Sequence, residues 1–480
     1  MAASIIEQQP IYNEVPVGQE IIFTVSNADA VATETKVKFC VEVHISNDTM
    51  PVIGTSTHLV GTFKATPNNA GVGIFDLRNV IENYVAADNR CHTDNSGSSG
   101  PSYKGTFVNE NTYPMHIIDK MSLATHSVSF MVLNFYVEFM GATNAANEQN
   151  NDVVRRSDGT EIPSDEYSIF NGYVKYTDVI NEFNNNFGYE TIQFNPGFNT
   201  RRYLTNAPME QYANYNDYGT IAFYQPNNSV ATKVNRFNIS YWDSDNVQIG
   251  VSVTLGKGTG SGAYSQWLLD APKQIIFLGC FPGNLQNWSA VSMIPTAAQL
   301  EGGHIRIRAL DTGLGLSLQE LKINVNCPQQ KNFEPIRLCW LNQWGAWDYY
   351  TFIKKSSRSY KTKGTTYTQL EGSWNEATYR VSSHRGGQKT FRVNATETIT
   401  INTDFVSEDF NVMFEELTNS PEVYLLEGYQ TDQPFSSLNN YVTPVTISSK
   451  GFNRKTKVND NLIQYSFTIE KTKTLRTQSI

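Results

Sequence analysis

Charged residues are scarce in this 480-residue chain: they make up 17% of it, with 37 basic and 46 acidic side chains and a net charge of −9. A protein whose body binds nucleic acid needs a positive field, so we expect no specific nucleic-acid partner. Asn, Thr, Ser, Gly and Tyr take the place of the missing charges. This composition favours strands and turns over helices, which prefer Ala, Leu, Glu and Lys.

Cysteine pairs and histidine motifs are also absent. The chain has five cysteines and no Cys-x-x-Cys pair, so we expect neither a disulfide framework nor a zinc site, and we interpret the thiols as reduced. The seven histidines form no His-Glu-x-x-His or His-x-His pair, and we predict that His44 and His304 lie on exposed, polar faces of strands. We expect no cofactor and no metal. The cysteines are Cys40, Cys91, Cys280, Cys327 and Cys339.

Long apolar runs are missing as well. The longest, such as Ile275 to Phe281, are far shorter than the roughly 20 residues of a transmembrane helix. We therefore expect no membrane partner. The N-terminal segment has no basic stretch and no long apolar core, so we expect no secretory signal and a product made in the cytoplasm.

What the sequence contains is alternation of apolar and polar residues along most of its length. Such strands bury one face and expose the other, which is typical of antiparallel sheets. The predicted fold class is all-β: multi-domain antiparallel β-sandwiches with a few short helices and long loops. The clearest hairpin joins a strand near 445–457 to one at 463–469 through the turn Asn459-Asp460-Asn461. The other alternating segments are 39–45, 237–241, 249–255, 305–307, 321–325 and 399–401.

Helical periodicity is confined to two short segments, Asp76 to Val85 and Asp409 to Leu417, and Asp76 is placed to cap the first. Three polar stretches, 88–105, 142–166 and 184–217, are expected to be long loops. We predict three domains: an N-terminal β-sandwich with long loop insertions (1–215), a central β-sandwich (216–330) and a C-terminal β domain with the terminal hairpin (331–480).

No segment carries a catalytic signature. The run Gly256 to Gly262 lacks the Gly-Lys-Ser/Thr ending of a phosphate loop and is interpreted as an inter-strand loop. At Asp243 and Asp245 the calcium-loop pattern is incomplete, so a β-turn with Asx hydrogen bonds is favoured over a weak calcium site. The pair Glu415-Glu416 is expected to be solvated on the polar side of a helix.

Two basic stretches interrupt the acidic chain. One contains Lys354, Lys355, Arg358, Lys361 and Lys363, and the other covers residues 450–476. We interpret both as solvated strand faces and loops. The alternative is contact with an acidic neighbouring subunit.

The most distinctive segment is residues 337–352, Arg-Leu-Cys-Trp-Leu-Asn-Gln-Trp-Gly-Ala-Trp-Asp-Tyr-Tyr-Thr-Phe. It resembles a Leu-Asn-x-x-Gly-x-Trp-Asp-x-Tyr-x-Phe motif of tail-associated virion structural proteins in tailed phages of Bacteroidetes hosts and marine samples. Residues 72–85 and parts of 417–465 resemble the same proteins. The resemblance implies a component of the virion whose partners are copies of itself and other virion proteins.

Residues 342–347 of this segment are predicted to form a tight turn between two strands, with Gly345 at positive φ. The tryptophans would pack as an aromatic cluster, and the aspartate would accept hydrogen bonds from turn amides or an indole N–H. The alternative is an exposed aromatic platform that binds a sugar or a protein. The candidate interaction residues are Trp340, Trp344, Trp347, Asp348 and Tyr349.

These observations favour a non-enzymatic, tail-associated structural subunit, such as a ring, collar, baseplate or fibre-attachment protein, that forms oligomers through strand edges and long loops. The alternatives are a receptor- or polysaccharide-binding tail protein that contacts a host surface glycan, and a capsid decoration protein. A depolymerase or lysin would need a carboxylate or histidine constellation, and the sequence displays none.

Overall fold

The structure, a computed structural model, describes residues 4–10, 13–47, 49–54, 58–89, 114–118, 121–140, 154–156, 161–173, 203–225, 233–256, 274–286, 294–311, 313–326, 333–373, 375–427, 441–449, 451–456, 463–473 and 475–479. The fold is mostly β, in several antiparallel and mixed sheets with few short helices, which confirms the predicted fold class.

The described strands are, in chain order, β1 (Ile5–Gln8), β2 (Glu14–Pro16), β3 (Ile22–Ser26), β4 (Thr35–Ser46), β5 (Leu59–Ala65), β6 (Val72–Asp76), β7 (Met121–Leu123), β8 (Val128–Met140), β9 (Val154–Arg156), β10 (Ile162–Pro163), β11 (Tyr167–Phe170), β12 (Glu210–Ala213), β13 (Thr220–Gln225), β14 (Arg236–Trp242), β15 (Gln248–Gly256), β16 (Gln274–Gly279), β17 (His304–Leu310), β18 (Leu321–Val325), β19 (Ile336–Leu341), β20 (Trp347–Phe352), β21 (Ser357–Gln369), β22 (Gly387–Asn402), β23 (Val423–Leu426), β24 (Val442–Ile447), β25 (Ser466–Lys471) and β26 (Leu475–Ser479).

The described α-helices are α1 (Ala28–Thr33), α2 (Arg78–Ile81), α3 (Pro282–Gln286), α4 (Ala297–Leu300) and α5 (Asn411–Asn419). Short 3-10 helices cover Glu82–Tyr84, Met115–Ile117 and Glu408–Phe410. In the part of the chain that the structure describes, none of these helices is long and apolar enough to span a bilayer.

The chain forms two compact units. Unit 1 comprises Met1–Asn326 and Leu341–Asp348, and unit 2 comprises Cys327–Trp340 and Tyr349–Ile480. The turn that joins β19 to β20 therefore belongs to unit 1. The predicted division into three domains at residues 215 and 330 stays a prediction.

Unit 1 contains a β-sandwich built from the N-terminal strands. One sheet has the strand order β1-β3-β6, and the other has β2-β11-β8-β4-β5, with β9 and β10 paired to β8. The ring centroid of Phe23 in β3 lies 5.7 Å from that of Phe135 in β8 and 5.8 Å from that of Tyr167 in β11. The inward-facing side chains of the two sheets thus share one core, as in other aligned sandwiches.

Two more sheets of unit 1 have the orders β12-β18-β17-β14-β15 and β13-β16-β7. Phe223 of β13 and Phe237 of β14 connect them, with ring centroids 5.4 Å apart. All residues of β16 from Ile275 to Gly279 are buried, because this continuous apolar run is covered on both faces.

Unit 2 is built on an eight-stranded sheet with the order β20-β19-β23-β24-β25-β22-β21 and with β26 paired to β22. Helix α5 packs on this sheet through Phe414, whose ring centroid lies 5.0 Å from Tyr350 and 5.6 Å from Phe467. Phe414 and Leu417 are completely buried. The apolar stripe predicted for this helix is therefore the face that contacts the sheet.

Two predicted elements are confirmed in type, with different bounds. The first predicted helix forms as α2 and the 3-10 turn that follows it, and the Asp76 carboxylate accepts a hydrogen bond from the Arg78 amide at 3.1 Å. The terminal hairpin forms as antiparallel β24 and β25, with Thr446 opposite Glu470, but its first strand ends at Ile447. The predicted turn at 459–461 lies outside the described residues.

Two strand pairs depart from the predicted antiparallel arrangement, since β2 pairs with β11 and β12 pairs with β18 in parallel. Two predicted loops also contain strands: β9 and β10 lie within 142–166, and β12 lies within 184–217. Much of the three predicted loops lies outside the described residues.

The prediction that His44 and His304 are exposed is wrong. His44, in β4, is 2% exposed, and His304, in β17, is 4% exposed. The His304 ring stacks on Trp242, and its Nε2 accepts a hydrogen bond from Arg306 Nε at 3.0 Å. Burial lowers the pKa of both histidines, that of His304 to about 4, so His304 is neutral at pH 7.

Candidate functional site

The tryptophan turn, residues 341–348, forms a closed backbone structure between β19 and β20. The Asn342 amide donates to the Ala346 carbonyl at 2.8 Å, and the Gly345 amide donates to the Asn342 carbonyl at 3.2 Å. Gly345 has φ of 73°. These features confirm the predicted tight turn with Gly345 in the left-handed region.

The Asn342 side chain organises the turn. Its Oδ1 accepts hydrogen bonds from the Trp344 amide at 3.0 Å and the Ala346 amide at 3.1 Å. Its Nδ2 donates to the Leu204 carbonyl at 2.9 Å. The prediction that Asp348 accepts hydrogen bonds from turn amides or an indole N–H is wrong, because these amides bond to Asn342 at the first position of the turn and Asp348 accepts from the Thr205 hydroxyl.

The indoles of the turn are buried. Trp347 is 2% exposed and its Nε1 donates to the Asp88 carbonyl at 2.9 Å, while the His116 ring packs edge-on against it at 5.0 Å. Trp344 is 4% exposed and its Nε1 donates to Asn206 Oδ1 at 3.3 Å. All of these partners belong to unit 1. Packing of the tryptophans against one another stays a prediction.

The two remaining candidates on either side of the turn, Trp340 and Tyr349, belong to unit 2 and are buried too. The Arg337 guanidinium lies 5.3 Å from the centre of the Tyr349 ring, in the same unit. Neither aromatic ring offers an exposed face for a ligand in the described structure.

Asp348 is a buried carboxyl that accepts a hydrogen bond from the Thr205 hydroxyl. Burial raises its pKa to about 7, although hydrogen bonds from Thr205 and Asn342 favour the charged form. The carboxyl therefore titrates near neutral pH inside unit 1. Because the carboxyl is buried and bonded to Thr205, its protonation should affect the stability of the turn.

The turn is seated closely on residues 171–173 of unit 1. The Tyr173 amide donates to the Gln343 carbonyl at 2.7 Å. A Cβ atom at Gly345 would lie only 2.0 Å from the Asn171 carbonyl oxygen. Glycine is therefore required at position 345 for two reasons, its positive φ and the close backbone approach.

The second candidate site is β21, β22 and the chain between them, which we call the ribbon (residues 357–402). Its strands are 13 and 16 residues long and pair from Ser357 opposite Thr400 to Gln369 opposite Gly387. Strand β21 is the edge of its sheet. Its first ten residues are all exposed, and so are most residues of β22 up to Val393.

The ribbon has two chemically different faces. The register skips Phe391, which forms a bulge opposite Thr365 and Thr366. Alternation from this register places Tyr360, Phe391 and Val393 on one face, where they are 58%, 49% and 37% exposed. The opposite face carries Lys361, Lys363 and Arg392. Beyond the root of the ribbon, the large exposed apolar side chains thus lie on one face, which we call the apolar face, and these three basic side chains lie on the other, which we call the cationic face.

An ion-pair network fixes the root of the ribbon within unit 2. Arg358 contacts Glu334 and Glu397, each at 2.7 Å, and Lys471 contacts Glu397 at 3.2 Å and Glu427 at 3.4 Å. Partial burial disfavours the charged form of Glu397, but the hydrogen bonds from Arg358 and Lys471 outweigh it and lower the pKa. The root is thus held in one geometry while the distal ribbon stays exposed.

The apolar face of the ribbon was missed in the sequence analysis. Tyr360 stands alone among polar residues, and Phe391 and Val393 alternate only with Arg392, so no long alternating run indicates a buried face. The available signal is the basic stretch from Lys354 to Lys363 with Tyr360 within it, which the sequence analysis above interprets mainly as solvated strand faces and loops.

The aspartates and glutamates singled out in the sequence, as far as the structure describes them, form turn contacts and ion pairs or are buried. Asp243 Oδ1 accepts hydrogen bonds from the Asp245 amide at 2.9 Å and the Val247 amide at 2.8 Å, which confirms the Asx turn. Glu415 pairs with Arg454, whereas Glu416 is buried, so the prediction of solvation is wrong for Glu416. The glycine-rich run after Gly256 lies outside the described residues.

No group of three or more His, Cys, Asp or Glu side chains that could hold a metal occurs within the described ranges. Cys40, Cys280 and Cys339 are buried thiols, and burial raises the pKa of Cys40 to about 12 and that of Cys339 well above its usual value. A raised pKa disfavours the reactive thiolate. Comparison of the chain with protein-family models and with curated proteins finds no match.

Proposed function

We propose that this protein is a non-enzymatic structural subunit of a bacteriophage particle, associated with the tail, that assembles with copies of itself and with other virion proteins. The observation that carries the proposal is the ribbon, a long antiparallel pair of strands whose apolar side chains face solvent. The assignment to a phage tail rests on the resemblance of residues 337–352 to tail-associated virion proteins.

The ribbon supports assembly because its exposed side chains add little to the stability of a single chain. A two-stranded ribbon is marginally stable in water unless a face packs on something. Tyr360, Phe391 and Val393 lie at about half of their full exposure on one face. Burial of such a side chain against a neighbour contributes about 1.5–3 kcal/mol. The edge strand β21 also offers unpaired backbone groups to a neighbouring strand.

The tryptophan turn supports the same function because its indoles are not available to bind a sugar. A sugar ring stacks on an exposed indole face, whereas Trp344 and Trp347 are buried and donate their indole N–H groups to partners in unit 1. Their burial favours the interpretation of the motif as a folding corner. The alternative of polysaccharide binding loses the aromatic residues on which it was based.

Shortening the ribbon in the phage genome tests the proposal. Residues 366–391 are replaced by Asn-Gly, a two-residue hairpin turn that keeps Thr365 opposite Arg392 and keeps the partners of β26. We expect the purified chain to fold with an unchanged urea midpoint, and purified particles to lack it or to be defective. Incorporation of the shortened chain at the normal level, or absence of the natural chain from normal particles, would contradict the proposal.

A further inference from the structure

We propose that the cationic face of the ribbon binds the acidic surface of unit 1 in a second copy of this chain. The inference rests on the proposed function and deepens it, because it names the partner and the force that selects it. Three features of the chain support it: the distribution of charge, the ion pairing of the basic residues and the position of β21 in its sheet.

Charge is divided unequally between the two units. Unit 1 has 19 basic and 32 acidic residues, a net charge of −13, whereas unit 2 has 18 basic and 14 acidic residues, a net charge of +4. The ribbon alone has seven basic and three acidic residues, which is also +4. The remainder of unit 2 sums to zero, although it includes the basic stretch 450–476, with seven basic and two acidic residues. The ribbon is therefore one of two positive segments of unit 2.

The basic side chains of the distal ribbon lack acidic partners within the part of the chain that the structure describes. Among the described residues, Lys361, Lys363, Arg380, Arg385 and Arg392 form no ion pair. By contrast, the ion pairs of Lys354, Arg358 and Lys471 hold the sheet and the root of the ribbon together. Lys361, Lys363 and Arg392 lie in the exposed parts of β21 and β22, and Arg380 and Arg385 lie in the chain between the two strands.

A second copy fits these features better than an unrelated acidic partner, because each copy supplies both halves of the contact. A positive ribbon and a strongly negative unit 1 on the same chain allow either a two-fold exchange of ribbons or a ring in which each ribbon contacts the next subunit. Opposite charges steer such subunits together and set their orientation. The apolar face of the ribbon and the free edge of β21 then add burial and backbone hydrogen bonds.

The test compares two double substitutions of the full chain by sedimentation velocity. K361E/K363E reverses the cationic face of the ribbon, and K36E/K38E makes the same change on exposed lysines of β4 in unit 1, also two residues apart on a strand. We expect the natural chain to self-associate, and the dissociation constant to rise about tenfold or more for the ribbon variant. The unit 1 control should associate as well as the natural chain or better.

Salt and a neutral variant sharpen the result. Raising the salt concentration from about 0.05 to 0.5 M should weaken association of the natural chain, since it screens exposed charges. K361Q/K363Q should raise the dissociation constant by an intermediate amount. Urea unfolding curves of both ribbon variants show whether each remains folded.

The inference is overturned if the natural chain stays monomeric at every concentration tested, or if K361E/K363E associates as tightly as the K36E/K38E control. It is equally overturned if the natural chain binds duplex DNA and the ribbon substitution abolishes that binding, because the cationic face would then be a nucleic-acid-binding surface. In each of these cases, incorporation of the shortened-ribbon chain into particles still tests the proposed structural function separately.

Discussion

Two successive hairpins, β19–β20 and β21–β22, place aromatic side chains in opposite environments. At the first, Trp344 and Trp347 are 4% and 2% exposed, and both indole N–H groups are bonded within unit 1. At the second, Tyr360 and Phe391 are 58% and 49% exposed. The first hairpin uses its aromatic residues to specify a single position for the turn. The second leaves them available to another molecule.

The difference lies in the polar groups that accompany the aromatic residues. Asn342 and Asp348 are buried and bonded to the chain around them, so changing either should affect folding. Lys361 and Lys363 have no ion-pair partner in the described residues, so changing them should affect assembly. Aromatic content alone does not distinguish a folding corner from an interaction surface.

The largest expected effect comes from adding a methyl group at the first hairpin. Gly345→Ala places a Cβ 2.0 Å from the Asn171 carbonyl oxygen at φ of 73°, so we expect the free energy of unfolding to fall by about 4 kcal/mol. Gly387→Ala is the matched control, since its φ is 70° and no atom lies within 4 Å of the added Cβ. It should cost only about 1 kcal/mol. Equal losses in urea unfolding would contradict the close seating of the turn.

Removing the side chain that organises the turn should have the next largest effect. Asn342→Ala leaves the buried amides of Trp344 and Ala346 without their acceptor, and we expect a loss of about 3 kcal/mol. Thr362→Ala on the exposed strand β21 should change stability by less than about 0.5 kcal/mol. A loss at Asn342 as small as that at Thr362 would show that the turn is held by other contacts.

The buried carboxyl of Asp348 predicts a pH dependence of stability. Its pKa is about 7 in the folded chain and near 3.8 when solvated, so the folded chain keeps the proton over this range while the unfolded chain releases it. This contribution to stability is full below about pH 4 and is lost as pH rises through 7. The difference in unfolding free energy between the natural chain and Asp348→Asn should fall by about 2 kcal/mol between roughly pH 5 and 7. Parallel pH profiles for the two chains would rule out a proton on Asp348.

The smallest effect on stability is expected at the second hairpin. Phe391→Ser removes an aromatic ring that is 49% exposed, so the urea midpoint should hardly change, with a loss below about 0.5 kcal/mol. Self-association in sedimentation velocity should nevertheless weaken. Phe414→Ser, in the buried core of unit 2, should cost more than about 3 kcal/mol and serves as the contrast. A large stability loss at Phe391 would mean that its ring packs within its own chain.

The parts of the fold that follow from local pattern could be predicted from the sequence. The alternation from Phe39 to Ile45 gave β4, and Asn342 with Gly345 gave the turn, because strand period and turn chemistry depend on neighbouring residues. The burial of His44 could not be predicted, because side-chain burial depends on residues distant in the sequence rather than on the local pattern. The parallel pairs and the exposed apolar face of the ribbon likewise depend on which distant strand each strand meets, or fails to meet.

Cryo-electron microscopy of the phage particle that encodes this chain tests the central claim most directly. We predict several copies in a symmetric arrangement on the tail, with residues 357–393 of each copy covered by a neighbouring subunit and with Trp344 and Trp347 still buried in their own chain. A particle without this chain, or one in which the ribbon faces solvent in every copy, would contradict the claim.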